Sequence, residues 1–449
     1  MKTSIIKKTG IIIFWLLVWA LSAGIINNNI LLVGPHRVII SFFKSMVDTN
    51  FILIVLNSTL RIGAGFLSAL ILACIFGALS YRFALFNDFI KPLVYCMKTV
   101  PVASFVVILL IWSGASYLSL LISFIITFPS IYTAVVDGLK STDEHLLSMS
   151  KVFKYSFRER LIYLYRDAVM PYLISASRTA LGLAWKSGVA AEVIGLPRNS
   201  LGERVYMSKI YLDTEGLFSW TLWVIVLSFG FEKLIIALMK AYSKPRKAGI
   251  RRGDTDSIKS EKNMNTSVNI SDISVTYDGR KVLDSLDVNI ESSGRKAIIG
   301  PSGAGKTTLL KEISKRAGAS VSIVFQENRL LENYDAKTNV LLGKNALSYD
   351  RCIKILEELL PGENLDCPLI EYSGGMKRRV ALARALCHVS GLLLLDEPFT
   401  GMDDNTKTRC VETIKEELDG RILVLVSHNM DDVAAFEIEE KDRILLYTD

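Results

Sequence analysis

The sequence predicts two domains of different fold class: an all-α domain of about six membrane-spanning helices, followed by a soluble α/β domain. The chain of 449 residues has a positive mean hydropathy of +0.34. Nearly all of its long apolar runs lie in residues 1–240, and a glycine-rich loop at residues 300–308 joins an apolar run to a helical pattern. We therefore expect a membrane domain over residues 1–240, a linker over 241–267 and a soluble domain over 268–449.

Charge and cysteine content exclude several classes of function. The net charge is +7, but Lys and Arg cluster beside apolar segments, which is typical of membrane orientation and not of a nucleic-acid-binding face. The cysteines form no CxxC pair, so we expect ordinary thiols in a reducing compartment, without a zinc site or a disulfide framework. They are Cys74, Cys96, Cys352, Cys367, Cys387 and Cys410.

Six segments are long and apolar enough to predict membrane spans, since a span needs about 20 apolar residues. They are residues 10–33, 52–80, 92–112, 116–136, 171–195 and 217–240. The first segment also resembles a signal peptide, because Lys7 and Lys8 precede it and small residues surround Leu21. Its apolar run continues beyond that point, which favours a retained span.

Basic residues predict the orientation of the chain in the membrane. They cluster before the first span, in the loop 138–170 and after the last span, and with six spans all three regions lie on one side. Both termini then lie in the cytoplasm, and the spans cross the inner (plasma) membrane. The loop 138–170 has Met149, Val152 and Phe153 at helical spacing, which predicts a short amphipathic helix. It either lies on lipid or docks on the soluble domain as a coupling element.

The fifth predicted span carries three ionisable residues, Arg178, Lys186 and Glu192. Charge inside a membrane is costly and therefore suggests function. Two interpretations remain open: Lys186 and Glu192 pair across the helix bundle or face water, or one of them contacts a transported substrate.

The soluble half contains a complete GxxxxGK[ST] loop between a predicted strand and a predicted helix. Glycines in such a loop let backbone N–H groups approach phosphates at a helix N-terminus, so the pattern predicts ATP binding. Lys306 is expected to reach the β- and γ-phosphates, and the Thr307 hydroxyl to ligate Mg²⁺. The loop residues are Gly300, Pro301, Ser302, Gly303, Ala304, Gly305, Lys306, Thr307 and Thr308.

A second motif supplies two carboxylates at the end of a buried strand. Four leucines at residues 392–395 lead into Asp396 and Glu397. Asp396 suits the Mg²⁺ shell, and Glu397 is then placed to act as general base on the attacking water.

A third motif, Ser373-Gly374-Gly375, precedes a helical pattern and predicts a second anion-binding helix N-terminus. With the other two motifs in this order, the sequence resembles the ATP-binding cassette (ABC) transporters, whose signature is this element. The resemblance implies the remaining roles, which belong to four residues. They are Gln326 as a contact to Mg²⁺ and to the membrane domain, His428 as the γ-phosphate switch, Asp403 as a dimer-communication residue and Tyr277 as the adenine-stacking ring.

The chain looks most similar to the nitrate, sulfonate and taurine importer branch, in its membrane half as well as around Gln326 and Ser373. The resemblance implies a type I ABC importer-like membrane domain fused to a P-loop NTPase domain. It also implies a homodimer, or a pair with a related half-transporter, and a small solute delivered by an extracytoplasmic solute-binding protein. We also expect contact with membrane lipid, and no binding of nucleic acid.

The sequence departs from the family pattern in places. Tyr372 and Met376 flank the signature where the family has leucine and glutamine, and only 20 residues (326 − 306) separate Lys306 from Gln326. This spacing predicts a trimmed β-subdomain. Two other functions share the ATPase motifs: an exporter, which would need helices extending far into the cytoplasm, and a non-transporting ATPase that signals across the membrane.

Overall fold

The structure is a computed structural model that describes residues 2–245, 267–277, 280–317 and 320–447. Most of the predicted linker, residues 241–267, lies outside these ranges. The chain forms two compact units. One contains Met1–Ser141 and Asp167–Lys244, and the other contains Thr142–Arg166 and Pro245–Asp449.

The first unit is entirely helical in the residues that the structure describes. Its helices are α1 (Lys2–Ile26), α2 (Pro35–Ser45), α3 (Phe51–Arg82), α4 (Ala84–Thr99), α5 (Val102–Ser113), α6 (Ala115–Lys140), most of α9 (Arg166–Gly195), α10 (Leu201–Ile210) and α11 (Thr214–Ser243). Four of the described helices, α1, α3, α6 and α11, are long and apolar enough to cross a membrane, and the α4–α5 pair makes five if it counts as one span. By length and composition, these helices account for four or five of the six predicted spans.

The predicted span 92–112 is not one straight helix. Helices α4 and α5 meet at 104°. Val100 is extended and Pro101 is the N-cap of α5. Because the ring of a proline disfavours helical geometry in the residue before it, Pro101 ends α4 and starts a new helix direction. The predicted span 92–112 therefore consists of two helices with a sharp bend at Pro101.

Helix α9 covers the predicted span 171–195 but is too polar to meet the same criterion. Its central side chains Leu181, Ala184 and Trp185 are buried against other helices of the first unit. A helix covered by its neighbours needs less apolar surface than one facing lipid, because its polar groups find partners in the bundle.

The charged residues of α9 do not pair as the sequence suggested. Glu192 is fully buried and accepts hydrogen bonds from the Ser58 hydroxyl at 2.8 Å and from the Gly202 N–H at 3.2 Å. The nearest cation to it is Arg61 at 3.9 Å, while Lys186 is exposed. The Lys186–Glu192 pairing is therefore wrong, and Glu192 ties α9 to α3 and α10.

The second unit contains the strands and the remaining helices. The strands are β1 (Val268–Tyr277), β2 (Arg280–Ile290), β3 (Arg295–Ile299), β4 (Val321–Val324), β5 (Leu392–Asp396), β6 (Ile422–Val426) and β7 (Arg443–Leu445). The helices are α7 (Glu144–Val152), α8 (Phe157–Arg160), α12 (Lys306–Arg316), α13 (Ala336–Leu341), α14 (Tyr349–Leu359), α15 (Gly374–Leu386), α16 (Asp404–Leu418) and α17 (Met430–Ala435).

Two sheets organise this unit. Strands β1 and β2 pair as an antiparallel ribbon, and the other five form a parallel sheet in the order β4-β5-β6-β3-β7. Every residue of β5 and β6 is buried, as expected for parallel strands covered on both faces. The predicted α/β fold is confirmed.

Candidate functional site

The predicted site residues meet at one edge of the parallel sheet. The carboxyl ends of β4, β5, β6 and β3 lie side by side, because these strands are neighbours and run in the same direction. Gln326 follows β4, Asp396 ends β5 and Glu397 follows it, His428 follows β6, and the glycine loop follows β3. In open α/β sheets this edge is where ligands bind.

The glycine loop curls tightly between β3 and α12. Gly303 and Gly305 both have φ of +86°, which favours glycine, and a Cβ on Gly300 would lie 2.5 Å from the Leu446 carbonyl oxygen. Helix α12 begins at Lys306, so its first N–H groups face the loop. The Lys306 ammonium donates to the carbonyls of Gly300 and Pro301, both at 2.8 Å.

Thr307 and Asp396 supply two oxygen ligands suited to a hard cation. The Thr307 hydroxyl donates to an Asp396 carboxylate oxygen at 3.0 Å. Burial raises the pKa of Asp396, and the Thr307 hydrogen bond and nearby cations oppose this rise. Among the described residues no three His, Cys, Asp or Glu side chains are grouped for metal binding. Mg²⁺ bound beside Thr307 and Asp396 would take phosphate and water as further ligands, which is usual for nucleotide sites.

Glu397 occupies an unusual backbone conformation beside His428. Its φ is +48°, and its N–H donates to the Val426 carbonyl at 2.9 Å. A carboxylate oxygen lies 3.4 Å from the His428 Nδ1 atom. Backbone strain of this kind is often found at catalytic positions. The pair can polarise a water molecule placed between it and a phosphate.

The signature serine forms a helix cap. The Ser373 hydroxyl accepts a hydrogen bond from the Met376 N–H at 3.3 Å, and Ser373 and Gly374 are exposed. The N-terminus of α15 is thus exposed, and the binding of an anion there stays a prediction.

The structure places Asp403 and the backbone of Tyr277, the two further residues that the resemblance names. Asp403 is the N-cap of α16, and hydrogen bonds from Thr406 hold the pKa of its carboxyl below the usual range. This cap is a structural role that spacing alone did not indicate. The backbone of Tyr277 ends β1, but its side chain lies outside the described residues, so the adenine-stacking prediction stays a prediction.

The loop 138–170 contains the predicted amphipathic helix. The middle part of this loop packs against strands of the ATPase half. Helix α7 buries Met149, and Phe153 follows it in the same apolar core as β3 and β4. Ser156 and Glu159 form a capping box at α8, and Glu159 also accepts from the Gly343 N–H at 3.5 Å. We call residues 142–166 the docking segment.

The docking segment continues through five residues of π-helix into a second polar contact. The Arg166 guanidinium donates to the Tyr334 hydroxyl at 2.7 Å, and the ring of Tyr163 lies 5.2 Å from that of Tyr334. A π-helical turn is rare and often marks a functional position. These contacts favour the coupling interpretation of the loop over one in which it lies on lipid.

Sequence reasoning missed the buried polar residues beneath the docking segment. The Phe153 ring lies 4.8 Å from the His388 ring, and the Arg384 guanidinium carbon is 4.8 Å above the Phe153 ring. Gly343 has φ of +111°, and a Cβ there would lie 2.3 Å from the Phe153 carbonyl oxygen. No motif signals these positions. The only hint is that Arg384 and His388 fall four residues apart among apolar residues.

We expect acid to weaken the fold through His388. Burial lowers the pKa of His388 to about 4, while an unfolded chain takes up this proton near pH 6.5. Between these values the unfolded chain binds more protons, so stability falls as the pH falls, by about 3 kcal/mol in total from this group. Thermal unfolding of the full chain at pH 7 and pH 5 measures the loss.

The control for this prediction is His388→Gln, which removes the titrating ring. The variant should lose less stability than the parent between pH 7 and pH 5, whatever its stability at pH 7. Equal losses in the two proteins would contradict the assignment to His388.

Two family models match the chain. Residues 312–400 match the model described as ABC transporter, and residues 65–249 match the model described as binding-protein-dependent transport system inner membrane component. The second range contains the docking segment.

Individual relatives match the C-terminal part. The aliphatic sulfonates import ATP-binding protein SsuB 1 of Rhodococcus jostii is 34% identical over 191 residues, covering 38% of this chain and 76% of that protein. The thiamine import ATP-binding protein ThiQ of Photorhabdus laumondii is 31% identical over 203 residues, covering 39% and 85%. The solved dimeric bacterial ABC transporter cassette MJ0796 is 23% identical with a TM-score of 0.34, covering 40% of this chain and 94% of that one.

Proposed function

The chain belongs to the ABC transporter family, and from this premise we propose that it imports a small solute delivered by an extracytoplasmic solute-binding protein. It is a multi-pass membrane protein that couples ATP hydrolysis to transport. The observation that carries the proposal is the docking segment: a loop of the membrane half packs in one core with the strands that present the ATP site. We infer that this loop transmits ATP-driven movement to the helices on either side of it.

In the ATP site, each residue has a proposed task. Lys306 and the glycine loop would bind the phosphates, and Thr307, Asp396 and Gln326 would hold Mg²⁺, which when bound would supply positive charge beside the transferred phosphoryl group. Glu397 accepts a proton from the attacking water, and His428 orients that carboxylate at 3.4 Å. Adenine would stack on Tyr277.

The proposed working unit has two ATP sites and two membrane halves. Each chain carries one glycine loop and one signature. A second copy of the chain, or a related half-transporter, would bring its signature to close the phosphate side of each site. We place the ATPase half on the cytoplasmic side of the inner (plasma) membrane, because basic residues cluster on that side of the predicted spans.

We expect ATP-dependent solute uptake in reconstituted liposomes. Vesicles holding ATP in the lumen are mixed with a solute-binding protein encoded near this chain's gene and with labelled solutes. The first solutes to test are an aliphatic sulfonate and thiamine, because relatives of the ATPase half carry these names. Uptake should require ATP and should be absent with the hydrolysis-deficient variant Glu397→Gln.

Other outcomes distinguish the rival functions. Solute leaving the side that holds ATP would indicate an exporter. ATP hydrolysis that responds to a membrane partner but moves none of the solutes would indicate a signalling ATPase.

A further inference from the structure

Arg378 lies in the second turn of α15, the helix that Ser373 caps, and its side chain is almost fully buried. It reaches two loops that carry catalytic residues. Beyond β4 its guanidinium donates to the carbonyls of Phe325 and Gln326 and to the Asn328 side-chain oxygen. Beyond β5 it donates to the carbonyls of Asp396, Glu397 and Pro398.

These contacts use the whole donor set of one side chain. An arginine has five N–H donors in a planar fork, and here they face six oxygen acceptors, none of which is a carboxylate oxygen. Burial lowers the pKa of Arg378 to about 10, and the Asp396 and Glu397 charges oppose that decrease. The group therefore stays protonated at neutral pH and keeps all of its donors.

The loop beyond β5 needs such support, because Glu397 has a left-handed backbone. A residue with a Cβ persists in this conformation only where its surroundings impose it. Arg378 binds the carbonyls of Glu397 and of both its neighbours, and Val426 accepts the Glu397 N–H. The direction of the Glu397 side chain thus depends on where α15 lies.

We propose that Arg378 is a positioning residue that links the signature helix to both the Gln326 loop and the Glu397 turn. Any displacement of Ser373 when ATP is enclosed moves α15, and Arg378 carries that displacement to the base and to the Gln326 loop. This inference rests on the proposed roles of Glu397 and Gln326 in hydrolysis. In this proposal Arg378 does not touch the nucleotide and acts only through the two loops that it holds.

The test compares Arg378→Gln and Arg378→Lys with a matched control, Arg379→Gln. Arg379 is the next residue of α15 and donates to the Leu359 carbonyl at the end of α14, at 2.9 Å. For Arg378→Gln we expect the ATPase kcat to fall at least about tenfold while ATP affinity stays within about threefold. Arg378→Lys keeps the charge with three donors, so its kcat should lie between those of the parent and of Arg378→Gln. The kcat of Arg379→Gln should stay within about twofold of the parental value.

A double variant separates positioning from a general effect on folding. In the Glu397→Gln background, Arg378→Gln should change the residual kcat by less than about twofold, because no base remains to be positioned. A kcat within twofold of the parent for both Arg378 variants would overturn the inference, as would a parallel loss of ATP binding. If Arg378→Gln does not fold, a parental kcat in Arg378→Lys alone overturns the inference. Absence of ATPase activity in the parent itself would instead overturn the proposed function.

Discussion

Replacement of Glu397 by glutamine is expected to lower the ATPase kcat by at least about 100-fold and to leave ATP binding intact. Glutamine has nearly the same shape as glutamate but cannot accept a proton at neutral pH. The groups proposed to bind phosphate, Lys306 and the first turn of α12, are not altered. The variant should therefore accumulate with ATP bound.

Two measurements check this expectation: the steady-state release of phosphate, and the equilibrium binding of labelled ATP. Glu416→Gln is the matched control, since Glu416 is an exposed glutamate on α16 and undergoes the same chemical change. It should hydrolyse ATP at the parental rate. Near-parental hydrolysis by Glu397→Gln would assign the general base to another group.

The ATP-binding edge of the sheet could be predicted from sequence because its signals are local. Each predicted strand is a short apolar run, and Gln326, Asp396, Glu397 and His428 each stand within two positions of the end of such a run. The parallel order of the strands then brings Gln326, Asp396, Glu397 and His428 together without further information. The roles that depend on bound ATP stay predictions.

The membrane half was less predictable because mean hydropathy does not distinguish lipid from protein as the neighbour of a helix. Helix α9 carries Arg178, Lys186 and Glu192, and the bundle accommodates Glu192 through hydrogen bonds from Ser58 and Gly202 to one carboxylate oxygen and through Arg61 at 3.9 Å from the other. The 104° turn that begins at Pro101 depends on packing that the sequence does not reveal.

Residues that act over long sequence separations could not be predicted at all. Arg378 contacts Phe325 across 53 positions, and Arg166 contacts Tyr334 across 168. Neither Phe325 nor Tyr334 has a role that a sequence motif predicts. A basic residue in such a helix is normally interpreted as exposed, and only the three-dimensional structure shows that the Arg378 donors are all engaged.

A mixture of two inactive variants is expected to regain ATPase activity if each ATP lies between two chains. Lys306→Ala removes a charge that binds phosphate, and Ser373→Arg blocks the exposed N-terminus of α15 with a large cation. In a heterodimer of the two, one composite site carries both defects and the other carries none. Purified heterodimers should hydrolyse ATP at least about tenfold faster than either variant homodimer.

The physical reason lies in the geometry of the two anion sites. In the proposed site, the glycine loop would cover the phosphates from one side and leave the far side of the γ-phosphate open to water. A second helix N-terminus with free N–H groups would close that side and exclude solvent. Differently tagged chains purified through both tags give the heterodimer, and each homodimer serves as its control.

Failure to regain activity has two explanations, which a crosslink distinguishes. Either the sites do not span two chains, or both sites must work together. Cysteines replacing Gly374 and Ser302 are introduced into the ATP-trapped Glu397→Gln chain, with the exposed Cys96 and the half-buried Cys74 and Cys367 changed to serine. A covalent dimer that forms only with ATP would show that the signature of one chain meets the glycine loop of the other. If no such dimer forms with ATP bound, the shared-site arrangement is wrong, and each chain must complete its own ATP site.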